Sequence, residues 1–154
     1  MQDINVLVVF CSRTEPLALA AALGCVQAKA NIRLRWLREA AGGETMENRR
    51  HMEQEYIAPR AVDAEWAHAI LIGVHGEPPE IEEYLDSLNA LRSEGKLAAK
   101  TETVFLAVPD AQAGSQSESQ SWPPATLESA RLQGRQMAEA ARAMKATHHS
   151  STAV

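Results

Sequence analysis

An α/β fold, with a parallel sheet of four strands held between two layers of helices, is predicted by three observations. Four short apolar runs, at residues 6–10, 32–37, 69–74 and 103–108, are separated by stretches of helical character. They read as near-continuous aliphatic runs rather than strict alternations, the pattern of strands buried on both faces. The first run passes through Cys11-Ser12-Arg13-Thr14 straight into an alanine-rich helix, and a strand that ends in hydroxyl residues before a helix is where such folds bind phosphate.

The elements follow in order. A helix over 16–29 has Pro16 in its first turn, where the missing N–H costs nothing, and a face of Leu17, Ala20, Ala21, Leu23 and Gly24 expected to pack closely on the sheet. Residues 38–65 turn polar, with Met46, Met52, Tyr56 and Ile57 as anchors, and are expected to form a long loop with at most a short helix. Over 79–91, Ile81, Tyr84, Leu85, Leu88 and Leu91 recur at steps of three and four, while Glu80, Glu82, Glu83 and Asp86 face outward or cluster near the N-terminus. The Gln/Ser/Gly-rich stretch 109–122 is too short and polar for another helix and strand, so the sheet is expected to stop at four strands. A last helix over 124–145 packs Leu127, Ala130, Met137, Ala138, Ala141 and Met144, with Gly134 allowing close approach. One domain is expected over 1–147, followed by a disordered tail over 148–154, and His148 and His149 are given no metal role.

Bulk properties exclude several classes. The 154 residues suit a single domain, and 45% hydrophobic residues with few aromatics suit an aliphatic interior. A net charge of −5 without a basic block excludes a nucleic-acid surface; Arg33/Arg35 and Arg49/Arg50 are expected on solvated faces. No apolar run approaches the ~18 residues of a membrane helix, and no basic-then-apolar leader opens the chain. A soluble, cytoplasmic protein is expected. The spacing of Cys11 and Cys25 matches neither a zinc site nor a disulfide framework; both are expected to be small buried or half-buried hydrophobes, Cys11 being a reactive thiol only if the nearby helix end lowers its pKa.

Several blocks resemble the flavodoxin-like NAD(P)H:quinone oxidoreductases of the tryptophan repressor-binding protein type. The first strand and loop look like that family's FMN phosphate loop. Glu55-Tyr56-Ile57-Ala58-Pro59 through Trp66-Ala67-His68-Ala69-Ile70-Leu71-Ile72-Gly73 is similar to its lead-in to strand three. Tyr84-Leu85-Asp86-Ser87-Leu88, Gly95-Lys96-Leu97-Ala98-Ala99-Lys100 and Phe105 resemble its third helix, turn and fourth strand in the same spacing. Residues 129–138 resemble the start of its C-terminal helix. The resemblance implies a flavodoxin-like three-layer sandwich, truncated to four strands in the order 2-1-3-4, with ligand at the carboxyl ends of the strands beside the switch between strands one and three.

Carried onto this chain, the resemblance places FMN against Ser12, Arg13, Thr14, Glu15, Gly73, His75, Gly76, Arg92, Pro109 and Asp110. The chain departs from the pattern at that site. Glu15 stands where the family has Gly, Pro16 deletes an N–H, and Leu17 replaces a hydroxyl. A carboxylate ~4 Å from a phosphate costs on the order of 4 kcal/mol at an effective dielectric of about 20, an upper bound that an outward swing or Arg13 reduces. The second flavin loop is cut to Gly73-Val74-His75-Gly76-Glu77-Pro78, Arg92 stands where a flavin-contacting aromatic is usual, and the fifth strand is missing.

His75 is the catalytic candidate. It is read either as a proton donor to a reduced quinone or as a loop histidine that caps a carbonyl or faces solvent. The expected function is a divergent flavodoxin-like protein with a degenerate FMN site and weak or no flavin binding, acting as a binding or assembly module. The alternative is an active FMN-dependent NAD(P)H:quinone oxidoreductase. A sensor using Arg13 and Arg92 as anion partners has no distinctive motif. Without a fifth strand the fourth lies at the sheet edge, so a homodimer or a dedicated protein partner is expected there.

Overall fold

The structure, a computed structural model, describes residues 4–38, 46–74, 79–97, 102–106 and 122–152. β1 (Asn5–Phe10) leads through a 3-10 turn (Ser12–Thr14) into α1 (Glu15–Gln27) and then β2 (Asn31–Trp36). α2 (Met46–Glu55) and α3 (Ala61–Trp66) precede β3 (Ala69–Gly73), and α4 (Pro79–Ser93), β4 (Glu102–Phe105) and α5 (Pro124–Thr152) complete the chain. All strands are parallel, in the order β2-β1-β3-β4. This is the expected sheet.

Alternate residues of the central strands feed two cores, as the period of two requires. Val6, Val8, Phe10 and Leu71 pack against α1 and α5 through Leu17, Ala18, Ala21, Cys25, Ala130, Met137 and Ala138. Leu7, Val9, Ile70 and Ile72 pack against α3 and α4 through Ala64, Ile81 and Leu88, with Leu97 beyond the helix end. Both crossover helices stop in the same way. After α1, Lys29 N–H bonds Val26 O and Ala30 N–H bonds Cys25 O; after α4, Gly95 N–H bonds Arg92 O and Lys96 N–H bonds Leu91 O. This pairing closes a helix on a left-handed residue, here Lys29 at φ 64° and Gly95 at φ 76°.

Four expectations need correction. Residues 38–65 contain two helices rather than a loop with one short helix: α2 is polar apart from two methionines, of which Met52 is fully buried, so its period leaves almost no trace in the sequence. The face of α1 is also different. Leu23 is exposed, and Gly24 faces α5 rather than the sheet, since a Cβ there would overlap the Arg131 carbonyl oxygen; Gly134 meets Ala21 O in the same way. Arg33 and Arg35 do not lie on a solvated face but grip the buried carboxylate of Asp63, at 3.0 and 2.9 Å. α5 runs on to Thr152, past the end expected for it at 145.

Asp63 ties α3 to the edge strand β2. Burial by itself raises its pKa, but bonds from Arg35, the Arg60 backbone N–H and Arg33 outweigh that and hold the carboxyl down to about 2. The Arg33 guanidinium also lies 4.2 Å from the Trp66 ring centroid, a cation–π contact that fixes the arginine's plane.

Candidate functional site

The switch in strand order falls between β1 and β3, which places the ligand crevice of such a sheet at their carboxyl ends, where Phe10 is in register with Gly73. The loop there is drawn tightly inward. Thr14 is fully buried, and its hydroxyl donates to Gly73 O at 2.6 Å while accepting from Cys11 N–H at 3.1 Å. Thr14 N–H in turn bonds Cys11 O at 3.1 Å. The result is a clamp that staples the end of β1 to the end of β3.

Glu15 opens α1 and is half-buried. It accepts a hydrogen bond from the Tyr56 hydroxyl at 2.7 Å, and His51 Nε2 stands 4.0 Å from the same oxygen. The Tyr56 ring meets Phe10 edge-on, with centroids 4.8 Å apart. Burial, the Glu15 bond and the charges of Glu15 and Glu55 push the Tyr56 phenol above its usual range. Tyr56 reaches this position because α2, anchored by Met52, touches the 3-10 turn and ends just before it. From the other side, Trp122 donates its indole N–H to Arg13 O at 3.1 Å, tying the start of α5 to the same loop.

Of the residues expected at the site, the structure brings Arg13, Thr14, Glu15, Gly73 and the backbone of Ser12 together at this crevice. Leu17, which stands where the family has a loop hydroxyl, packs in the core on the inner face of α1, as expected of that helix face. Arg92 does not join them. It is in the last turn of α4, which runs from the carboxyl end of β3 back toward the start of β4, so Arg92 lies about 20 Å along the helix from Pro79. His75, Gly76, Pro109 and Asp110 lie outside the described residues. Sequence reasoning missed the role of Tyr56 and His51, because only the packing of α2 brings them over Glu15.

Cys11 and Cys25 are both buried, as expected of small hydrophobes. The Cys25 thiol lies 3.3 Å from Gly134 O and is pushed up to about 12 by burial. Among the described residues no three His, Cys, Asp or Glu side chains are grouped to hold a metal ion, and no helix is long and apolar enough to cross a membrane.

No protein-family model matches the sequence, and no curated protein is significantly similar to it. Among solved structures the chain is similar to a flavodoxin from the domain Archaea, at 10% identity and a TM-score of 0.52, over 90% of this chain and 99% of that one. It also matches a diflavin flavoprotein from Nostoc sp., at 13% identity and a TM-score of 0.46, over 97% of this chain and 100% of that one. The parallel sheet in the order 2-1-3-4, its two helical layers and the archaeal flavodoxin likeness together establish that this chain has the flavodoxin-like fold.

Proposed function

We propose that this protein is a flavodoxin-like module that binds FMN weakly or not at all and acts by binding or assembling with protein. The observation that carries this reading is the bond from Tyr56 to Glu15 at the mouth of the first loop. A phosphate cradle at a helix N-terminus needs converging N–H groups, hydroxyls and no competing anion. Here the Cys11 and Thr14 N–H groups bond within the clamp, Pro16 has none, the Thr14 hydroxyl points inward, and a carboxylate lies at the first residue of α1. FMN fits these residues poorly. The sheet edge at β4, where Phe105 is 47% exposed, offers a surface for a partner.

The test is the visible absorption spectrum of the purified protein, before and after excess FMN and desalting. Loss of all flavin on desalting is expected. Retained yellow bands would overturn the reading and favour the FMN-dependent NAD(P)H:quinone oxidoreductase, to be assayed with quinones and with His75→Ala. A second arm opens the loop with Glu15→Gly, Pro16→Asn and Tyr56→Phe while keeping the core residue Leu17. A gain in FMN affinity is expected if those residues block the site; no gain means the crevice is closed for other reasons, and the enzyme reading fails.

A further inference from the structure

We infer that the outward face of α1 is a homodimer interface, in which Leu19, Leu23 and Val26 of two copies pack antiparallel about a two-fold axis at Leu23. From Pro16 to Ala28 the helix carries no charged residue. A helix on a protein surface ordinarily has a charged outer face, and one that is apolar all round is buried. Yet Leu19, Leu23 and Val26 are 43%, 51% and 50% exposed in the single chain. Their spacing, i, i+4 and i+7, makes one continuous stripe. The other sides of α1 are already occupied: Leu17, Ala18, Ala21 and Cys25 face the core, and Gly24 meets α5.

The composition of the stripe selects its occupant. An uncharged aliphatic surface is matched by another of the same kind, and a two-fold interface requires a patch that complements itself. The stripe does so about its middle residue. Leu19 lies four residues before Leu23 and Val26 three after, so in an antiparallel pair Leu23 meets Leu23 while Leu19 meets Val26 to within about 1.5 Å along the axis. The charges at the helix ends agree with this direction. Glu15 opens α1 and Lys29 follows its end, so antiparallel packing brings each toward its opposite and opposes the two helix dipoles. The stripe forms the apolar centre of the contact and exposed polar neighbours such as Gln27 its rim, the usual anatomy of an interface.

This surface gives the assembly role proposed above a specific site, and its test does not depend on FMN. Sedimentation velocity of the full chain at tens of micromolar is expected to show a dimer. Leu23→Glu and Leu23→Lys, each at an exposed position, should leave the far-UV circular dichroism unchanged and weaken the dimer at least on the order of a hundredfold, because like charges then face each other across the axis. Mixing the two variants in equal amounts should restore it. A monomeric wild type overturns the inference, as does a dimer that Leu23→Glu leaves intact; the latter result moves assembly to another surface such as the β4 edge and leaves the assembly reading standing.

Discussion

Thr14 and Asp63 are the two fully buried polar side chains among the described residues, and each holds two elements together. Thr14→Val keeps the shape but removes the hydroxyl from Gly73 O and Cys11 N–H. Leaving such groups short of partners costs about 1–3 kcal/mol, to be seen as a lower urea midpoint with unchanged slope. Asp63 carries a pH signature. Its folded pKa of about 2 lies below the ordinary 3.8, so its contribution, about 2 kcal/mol, is complete above about pH 5 and is lost as pH falls through about 2. Urea titrations across that window should show the loss, and Asp63→Asn should flatten it while costing about 3 kcal/mol near neutrality by stranding Arg33 and Arg35. Thr14 and Glu15 were legible at the loop because strand, hydroxyls and helix are adjacent in the chain. The Asp63 cluster was not. Arg33 and Arg35 share a face by their spacing of two, but only the pairing of Leu7 with Arg33 and Val9 with Arg35 shows that this face is the buried one.

Between elements, α1 and α5 cross in close backbone contact. Gly24 and Gly134 let the two backbones approach until a Cβ on either would overlap a carbonyl oxygen of the other helix, and backbone cannot yield as a flexible side chain can. Gly134→Ala should therefore force the helices apart and destabilise the protein by about 3 kcal/mol or more, read from the thermal midpoint, whereas Ala at the exposed position Gln136 should change it little. α4 and α5 could be read from their three-and-four spacing. α2 could not, because its two methionines in an otherwise polar helix make no apolar period to detect, and its effect on the site comes from where it ends. Tyr56 follows that end directly and so meets Glu15.

For the molecule as a whole, the proposed weakness toward FMN has a simple consequence in stability. A ligand bound at 100 times its Kd raises stability by about 2.7 kcal/mol, several degrees in midpoint for a domain of this size. With excess FMN the thermal midpoint is expected to move by less than about 1 °C, and a shift of several degrees would count against the reading. Among the described residues the two edge strands of the sheet, β2 and β4, differ in how they are finished. β2 is held by the Asp63 cluster, while at β4 the Phe105 carbonyl accepts a bond from Gln133 at 2.9 Å. Phe105 itself remains exposed.

From the sequence alone came the α/β class, four parallel strands, their order through the resemblance, and the suspicion that Glu15 and Pro16 spoil a phosphate loop. Those properties are written in neighbouring residues, in apolar runs and in residue types that restrict the backbone locally. Tertiary structure alone decided that Thr14 turns inward to Gly73, that Tyr56 closes on Glu15, that Arg33 and Arg35 serve Asp63, and that Leu19, Leu23 and Val26 remain outside. Each of these depends on which of two faces a residue presents, or on contacts between residues from tens of positions apart, and packing of the whole chain settles both.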